Sequence, residues 1–354
     1  MSYPLGVPGI ENKTPKNEAV GELGLIRQIR LRASTGSRAE VRLGIGDDCA
    51  LLRPRQGEEF AITTDLSIAG RHFRLETHPP ESIGHRALAR GLSDLAAMGA
   101  RPVAAFVSLA VPQELAGEWT TRFYDGLLNL AHAHKTTLAG GDLSEAPIPL
   151  ADIVLVGAVP VGKALLRSKA RPGELLYVTG TLGGSSAGLA RLETMPQAQI
   201  AKLRRNAPNS SSPPGPSTAN SLATLASHLY PQPRIAQGLS LRKRGIATAA
   251  IDLSDGLSTD LMHLCEESGL VAEIEAELLP IHPGATLEQA LNGGEDYELL
   301  FTASPSARVP RAIAGVPLTR IGRTLKRGSK RPTITLKTAR GSMPLSPSGW
   351  QHFS

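Results

Sequence analysis

The chain alternates between short apolar runs and longer segments in which apolar residues recur every three or four positions. The short runs predict β-strands, and the longer spacing predicts amphipathic α-helices. Strands are predicted over 41–52 with a break at 46–48, and over 60–64, 103–111, 136–142, 153–159 and 175–179. Helices are predicted over 21–33, 81–100, 114–134 and from 257 to a C-cap at Gly269. Because strands and helices alternate, the pattern predicts an α/β (α+β) fold.

The stretch from Ala250 to Asp260 is the centre of the predicted function. An apolar run enters Ile251, acids follow at its end, and a helix with one apolar face comes next. Three carboxylates within nine residues, at Asp252, Asp255 and Asp260, are costly to hold together unless cations neutralise them. On this stretch alone, an Asp or Ser N-cap with a solvated turn explains the acids as well. The apolar face comprises Leu257, Leu261, Leu264 and Cys265.

The same arrangement recurs along the chain, since most of the other candidate acids follow a predicted strand or glycines. Glycine lets a backbone approach a ligand closely, and sites of α/β proteins gather at strand ends. Carboxylates without His or Cys clusters favour Mg²⁺, which commonly binds through a few carboxylates and substrate phosphates. Several Mg²⁺ ions between two phosphorylated substrates would form a phosphoryl-transfer site, and no protein nucleophile stands out. The acids are Asp47, Asp48, Asp65, Asp94, Asp142, Asp252, Asp255, Glu295 and Asp296.

Asp94 differs from the other acids because it lies in a predicted helix. The 3.6-residue repeat places it in a stripe of small and apolar residues that includes Ala87 and Gly91. A buried carboxylate without a partner is strongly destabilising, so a cation is expected beside it. That cation is either a metal ion or an arginine, with Arg90 and Arg101 as the candidates.

A P-loop is the competing phosphate-binding motif. Gly157 and Lys163 have P-loop spacing after an apolar run, but Ala164 stands where a Mg²⁺-binding hydroxyl is needed. Pro160 also stiffens a loop that would have to wrap phosphate. The glycines within 180–188 do not fit the dinucleotide fingerprint and indicate close strand–helix packing instead. The acidic set is therefore favoured over both motifs.

Composition restricts the class of protein. The 354 residues suffice for about two domains, and 41% hydrophobic with 20% charged residues is typical of a soluble globular protein. Cys49 and Cys265 lie in unrelated patterns, which indicates no disulfide framework and fits a reducing compartment. No apolar run approaches a membrane span, and residues 1–20 lack a signal-peptide core. We therefore expect a cytoplasmic protein with no membrane partner.

The net charge of +6 raises the question of nucleic-acid binding. Much of the basic excess falls in one acid-free segment, 320–340, where a late hairpin with a solvated basic rim explains it. Aromatic residues amount to only 4%, which argues against base stacking. We expect no nucleic-acid partner, whereas a basic surface also attracts small phosphorylated molecules.

The motifs in order resemble the thiamine-monophosphate kinase family, of the superfamily that includes aminoimidazole ribonucleotide synthetase. Each motif is weak alone, but the ordered series extends from about residue 21 to 353. The matching segments are 44–50 (GIGDDCA), 63–65 (TTD), 70–73 (GRHF), 92–100 (LSDLAAMGA), 140–142 (GGD), 251–256 (IDLSDG) and 293–299 (GGEDYEL).

The resemblance implies a two-domain fold and a division of the chain. A flexible arm at 1–20 would precede an N-terminal ATP- and Mg²⁺-binding domain at 21–162, which pairs with a second copy through a shared β-barrel. A C-terminal α/β domain would occupy 163–354, with a disordered low-complexity insertion at 206–219. The resemblance therefore implies a homodimer.

The resemblance also implies transfer of the γ-phosphoryl group of ATP to thiamine monophosphate, giving thiamine diphosphate. Several Mg²⁺ ions would be held by Asp48, Thr63, Thr64, Asp65, Asp94, Asp142, Asp252 and Asp255. ATP would contact Tyr124, Gly141, Asp142, Arg167 and Ser254, and the thiamine part would contact His72, Glu295 and Trp350. The alternative is another ATP-using member of the superfamily, a ligase, a cyclase or a selenophosphate-type enzyme. The reactive Cys or Sec with a Lys expected of the selenophosphate type is not visible.

Overall fold

Two β-sheets and the helices between them position the candidate residues. The computed structural model describes residues 22–33, 39–205, 225–328 and 333–350. The predicted arm at 1–20 and the predicted insertion at 206–219 lie outside the described residues. The α/β fold class is confirmed, because helices and strands alternate through most of the described chain.

The helices are α1 (Glu22–Ala33), α2 (Pro80–Ala97), α3 (Glu118–Ala133), α4 (Gly184–Glu193), α5 (Gln197–Arg205), α6 (Ile235–Lys243), α7 (Leu257–Ser268) and α8 (Leu287–Asn292). The strands of the N-terminal half are β1 (Val41–Leu43), β2 (Leu51–Leu52), β3 (Glu58–Ile68), β4 (Arg101–Val111), β5 (Thr137–Glu145) and β6 (Leu150–Pro160). Those of the C-terminal half are β7 (Leu175–Thr179), β8 (Ala249–Asp252), β9 (Leu270–Glu275), β10 (Leu299–Ala303), β11 (Ala312–Ile313), β12 (Val316–Lys326), β13 (Ile334–Thr338) and β14 (Gly341–Pro344).

The N-terminal sheet has four strands in the order β3-β6-β4-β5. The β4–β5 pair is parallel and the other two pairs are antiparallel. Helix α2 packs on one face through its apolar stripe, in which Leu88, Leu92 and Leu95 are buried. The β1–β2 hairpin contributes Val41 and Leu52 to a smaller apolar cluster with residues of β4, β5 and β6. Strand β3 lies at one edge of this sheet.

Helices α2 and α3 approach each other at backbone contact. A Cβ atom on Gly84 of α2 would lie 1.9 Å from the carbonyl oxygen of Phe123, and one on Gly126 of α3 would lie 1.8 Å from that of Glu81. Only glycine leaves room for this separation. Arg122 of α3 adds two hydrogen bonds of 2.6 and 3.0 Å to the Glu81 carboxylate. The two helices are therefore joined through backbone as well as side chains.

The C-terminal sheet has eight strands, seven of them in the order β14-β13-β9-β12-β7-β10-β8, with β11 beside β12. Among the described strands of this sheet, only β9 and β13 pair in parallel. Helix α7 packs on this sheet through its predicted apolar face, which is buried. Its C-cap is Gly269 with a φ of 66°, as the sequence predicts. The basic residues of β12 and β13 form ion pairs with acids of β9, Arg323 and Lys337 with Glu273 and Arg320 with Glu275.

Helix α2 is the element shared by the two halves. It packs on the N-terminal sheet and also contacts α6 and β8 of the C-terminal half. At the α6 contact, a Cβ atom on Gly238 would lie 1.9 Å from the carbonyl oxygen of Ala96. One apolar cluster accordingly continues from α2 to Leu241 and Phe301. Arg86, Arg90 and Asp94 form a polar stripe on α2, and this stripe lies at the junction of the two halves. The domain boundary between residues 162 and 163 stays a prediction.

Two local predictions need correction, and the structure also argues against the P-loop that the sequence analysis disfavoured. Asp65 was expected at the end of a strand, but β3 continues to Ile68. Asp142 likewise lies within β5, because the pairing with β4 continues to Glu145. Gly157 lies in the middle of β6, paired with β3 and β4, so the segment with P-loop spacing is strand there and not a phosphate-wrapping loop.

Candidate functional site

Most of the predicted site residues line one of two cavities. A cavity of about 390 Å³ at the junction of the two halves, hereafter the junction cavity, contains most of the acids and all predicted thiamine contacts. A cavity of about 760 Å³ between α1, the loop at 45–50 and β5 is hereafter the N-terminal cavity. Predicted residues of the junction cavity are Asp65, His72, Asp94, Asp252, Ser254, Asp255, Glu295 and Trp350. Those of the N-terminal cavity are Asp48, Tyr124, Gly141 and Asp142.

Strand β3 and helix α2 supply the acids on the N-terminal side of the junction cavity. Thr63 donates a hydrogen bond from Oγ1 to Oδ2 of Asp94. Arg90 donates from Nε to Oδ1 of Asp65 at 3.3 Å. The alternative that Arg90 forms a direct ion pair with Asp94 is therefore wrong. Arg101 lies elsewhere and pairs with carboxylates outside this cavity.

Burial raises the pKa of three carboxylates of the junction cavity, those of Asp65, Asp94 and Asp252. Desolvation raises the pKa of Asp65 to about 6, although the positive charge of Arg90 opposes the rise and the charge of Asp94 adds to it. Desolvation also raises the pKa of Asp94 and of Asp252, which is 2% exposed. The positive charge of Arg167 lowers both pKa values in part. Such a cluster is typical of a site that gains a cation on binding its ligand.

The donor set fits Mg²⁺, but the described residues do not form a closed metal site. Oδ2 of Asp65 is buried and accepts no hydrogen bond from any described residue. Oxygen donors of this kind suit a hard divalent cation. Within the described ranges, no three His, Cys, Asp or Glu side chains converge closely enough to hold a metal ion by themselves. Binding through fewer carboxylates together with substrate phosphates remains compatible with these donors.

The loop after β8 holds Asp255 by backbone contacts. Oδ2 of Asp260 accepts hydrogen bonds from the backbone N–H groups of Asp255 and Gly256, both at 3.1 Å. The N-cap of α7 is Gly256, which has no capping side chain, so the alternative of an Asp or Ser N-cap is wrong. The backbone N–H of Trp350 donates to the carbonyl oxygen of Asp255 at 3.1 Å. This contact, together with the hydrogen bond from Gly349 N–H to Thr259 Oγ1 at 3.2 Å, holds a residue 95 positions away at the edge of the cavity.

A strained loop carries Glu295. Both Glu295 and Tyr297 have left-handed backbone angles, with φ values of 65° and 51°. Two hydrogen bonds hold the loop against the segment after β8, from Glu295 N–H to Ser254 O at 2.7 Å and from Tyr297 N–H to Leu253 O at 2.9 Å. Left-handed angles at residues other than glycine cost free energy and occur where surrounding contacts enforce them, often at functional sites.

Several cavity residues were not found from the sequence. Ser185 and His228 line the junction cavity, and Arg86 of α2 pairs with the cavity residue Glu295 at 2.7 Å. Arg86, Arg90 and Asp94 recur every four residues, so they lie on one face of α2. That spacing was visible in the sequence and could have identified the stripe. The approach of His228, which is 142 residues from Arg86, could not.

The N-terminal cavity is built by β5, α3 and the loop between β1 and β2. Gly141 has a φ of 153°, and a Cβ atom there would lie 2.0 Å from the carbonyl oxygen of Val107 in β4. The position therefore requires glycine, and Asp142 follows it on the exposed part of β5. Tyr124 of α3 is 3% exposed. Burial raises the pKa of Tyr124, and the charge of Asp142 adds to the rise.

Three predicted residues line neither cavity. Thr63 does not line the junction cavity, but its hydroxyl donates a hydrogen bond to Asp94, which does. Thr64 lies on the opposite face of β3, because side chains alternate along a strand, and shares that face with the exposed Ile62 and Leu66. Arg167 lies in a short 3₁₀ turn and acts on the acids through its charge.

Comparison with known proteins places the chain in a family. Residues 46–162 match the family model described as AIR synthase related protein, N-terminal domain. The thiamine-monophosphate kinase of Escherichia coli is 42% identical over 316 residues, which cover 86% of this chain and 90% of the relative. The chain belongs to the thiamine-monophosphate kinase family. The family member from Bacillus subtilis is 35% identical over 347 residues, covering 94% of this chain and 99% of the relative.

Solved structures of the thiamine-monophosphate kinase family have the same fold. The crystal structure of the enzyme from Stenotrophomonas maltophilia has a TM-score of 0.71 and 35% identity, covering 90% of this chain and 96% of that chain. A structure of AaThiL complexed with AMPPCP and TMP has a TM-score of 0.69 and 31% identity, covering 96% and 99%. The family resemblance drawn from the motifs is confirmed. Across the described ranges, no helix is both long and apolar enough to cross a membrane.

Proposed function

We propose that this protein transfers the γ-phosphoryl group of ATP to thiamine monophosphate, giving thiamine diphosphate. The observation that carries the proposal is the lining of the junction cavity. Four acids, Asp65, Asp94, Asp252 and Asp255, share it with the three candidate thiamine contacts, although these residues come from distant parts of the chain. Membership of a kinase family supports the assignment, as does the complex of AaThiL with AMPPCP and TMP.

The residues of the junction cavity would bind and orient the two substrates. Trp350 offers an aromatic face of the kind that attracts a cationic ring, and Glu295 offers a carboxylate in a fixed loop. A phosphate monoester has a second pKa near 6, so its oxygen is already ionised at neutral pH and needs no protein base. The contribution of the protein is therefore alignment of the attacking oxygen with the γ-phosphorus and neutralisation of charge.

We further propose that Asp65, Asp94, Asp252 and Asp255 hold Mg²⁺ together with the substrate phosphates. The support is the buried, unsatisfied Oδ2 of Asp65 and the raised pKa values of neighbouring carboxylates, which bound cations would lower. Bound Mg²⁺ would supply positive charge between two polyanions and a template for in-line transfer. Asp48, Tyr124, Gly141 and Asp142 would contact the nucleotide from the N-terminal cavity.

Product analysis tests the proposed function directly. The full chain is incubated with ATP, Mg²⁺ and thiamine monophosphate, and the products are separated by chromatography. Thiamine diphosphate and ADP are expected in equal amounts, with no product when EDTA replaces Mg²⁺ or when Asp252 is changed to Asn. Efficient phosphorylation of free thiamine, with the monophosphate left unchanged, would show that the substrate assignment is wrong.

We also propose that the N-terminal sheet pairs with that of a second copy. Strand β3 lies at an edge of its sheet, and its outer face presents Ile62 at 65% exposure and Leu66 at 44%. Exposed apolar side chains on an edge strand invite association with another chain. A cytoplasmic location is proposed as well, because both cysteines are free thiols. Cell fractionation would contradict it if the protein were found outside the cytoplasm.

A further inference from the structure

Arg86 is a buried arginine beneath the junction cavity. It lies on α2 and is 5% exposed. Its Nη2 donates to Oε2 of Glu295 at 2.7 Å and to the carbonyl oxygen of His72 at 3.1 Å. Its Nη1 donates to the carbonyl oxygen of His228 and lies 3.1 Å from Nδ1 of the same residue. One guanidinium thus links α2 to three separate segments, two of which carry candidate substrate contacts.

The charge of Arg86 is balanced by Glu295. Among the described residues, Glu295 is the one carboxylate in ion-pair contact with Arg86. The other polar neighbours do not compensate it, since burial and the charge of Arg86 lower the pKa values of His228 and His78 and leave both imidazoles neutral at neutral pH. A buried cation with a single compensating carboxylate holds that carboxylate strongly, because separating the pair leaves an uncompensated buried charge.

Two histidines fix the orientation of the Arg86 guanidinium. A guanidinium has only donors, so Nδ1 of His228 must accept from it. The proton of neutral His228 is then on Nε2, which lies 3.1 Å from Nε2 of His78. Ser185 Oγ, at 3.0 Å from Nδ1 of His228, joins the same network from α4. The network therefore leaves the guanidinium one orientation, with Nη2 directed at Glu295 and His72.

We propose that Arg86 is a positioning residue for thiamine monophosphate. It holds the Glu295 carboxylate and the backbone at His72 in one relative arrangement, and the buried His228–His78 pair keeps it there. This inference rests on the proposed function, because it assigns Arg86 to the thiamine side of that reaction. Its removal should weaken binding of thiamine monophosphate far more than binding of ATP, whose candidate contacts lie mainly in the other cavity.

Steady-state kinetics of the full chain distinguish positioning from a merely structural ion pair. The KM values for thiamine monophosphate and for ATP are measured separately in Arg86→Met and Arg86→Lys. Arg122→Met is the matched control. Arg122 of α3 makes two hydrogen bonds to Glu81 of α2, the helix that carries Arg86, but it lines neither cavity. We expect Arg86→Met to raise the KM for thiamine monophosphate at least tenfold and to leave the KM for ATP within about twofold.

Arg86→Lys should give a smaller increase, because lysine keeps the charge but cannot contact His72 and Glu295 together in the planar arrangement of arginine. Arg122→Met should change neither KM beyond about twofold. Equal increases in both KM values, or no increase for thiamine monophosphate in a folded Arg86→Met variant, would overturn the inference.

A double-mutant cycle provides the second readout and does not depend on Arg86→Met being stable. If Arg86 acts through Glu295, adding Arg86→Lys to Glu295→Gln should raise the KM for thiamine monophosphate less than twofold beyond Glu295→Gln alone. Multiplicative effects of the two substitutions would refute the positioning role while leaving the kinase activity intact. A parent chain that forms no thiamine diphosphate would instead refute the function and, with it, the inference.

Discussion

Asp94→Asn separates a metal-binding role from a structural one at the centre of the junction cavity. Asp94 accepts a hydrogen bond from Thr63 and forms no direct ion pair with any described arginine or lysine. Asparagine has nearly the same shape, and its side-chain oxygen can still accept from Thr63. We therefore expect the variant to fold normally and to lose at least a hundredfold in kcat, which corresponds to about 2.7 kcal/mol of transition-state stabilisation.

The pKa shift of Asp65 gives the expected magnitude for stability. Its pKa rises from 3.8 to about 6 on folding, in part because of the charge of Asp94. The folded protein therefore binds this proton more tightly than the unfolded chain, and stability falls as pH rises from about 4 to about 6. At about 1.4 kcal/mol per unit, full ionisation of Asp65 costs about 3 kcal/mol above pH 6. Asp94→Asn should recover part of that cost at pH 8, without metal.

Thermal unfolding at pH 5 and pH 8 in EDTA, with kcat measured in Mg²⁺, checks these values. We expect the variant to match or exceed the parent Tm at pH 8 and to show a smaller fall in Tm between the two pH values. Asp125→Asn is the control, since it removes a carboxylate that pairs with Arg32 on the outer side of α3. A Tm at pH 8 well below that of the parent, in metal-free buffer, would show that the charge of Asp94 stabilises the fold and would refute this reasoning.

Two further predictions concern the phosphate contacts and the outer face of β3. Lys163→Ala should keep kcat within about tenfold of the parent, because Lys163 is exposed. Asp142→Asn or Asp255→Asn should lower kcat at least a hundredfold at saturating ATP and matched Mg²⁺. The reverse ranking would favour a P-loop mechanism. Ile62→Glu should shift the protein from dimer to monomer in light scattering, because it places a charge on the exposed apolar face, and an unchanged mass would mean that this face is not the interface.

The sequence predicted local structure well where periodicity determines it. The apolar face of α7, with Leu257 and Leu261, is buried as its spacing requires, and Gly269 ends the helix. Strand ends were predicted less well. Asp65 and Asp142 lie within strands, because backbone pairing continues past a charged side chain that points into a cavity. A prediction from runs of apolar residues ends the strand at such a charged residue.

The composition of the candidate site was only partly accessible from sequence. The acids were found by their position after strands and glycines, but their division between two cavities depends on how distant elements pack. Asp296 was grouped with the acids, yet its carboxylate accepts hydrogen bonds from the backbone N–H groups of Gly183 and Ser185 at the start of α4. It lies 113 residues from Gly183, and no local pattern predicts that contact. His228 was missed for the same reason, whereas the four-residue spacing that links Arg86 to Arg90 and Asp94 was visible in the sequence.

The backbone contact between α2 and α3 limits how the protein can move. Side chains between packed helices can change rotamer and so accommodate small shifts of the helices, but Gly84 and Gly126 leave carbonyl oxygens directly against the neighbouring backbone. Sliding by even a fraction of a helical turn would force these atoms into collision. Tyr124 of the N-terminal cavity lies on α3, and Arg90 and Asp94 of the junction cavity lie on α2. Adjustment between empty and occupied states must therefore come from the surrounding loops, with the two helices as the fixed frame of reference.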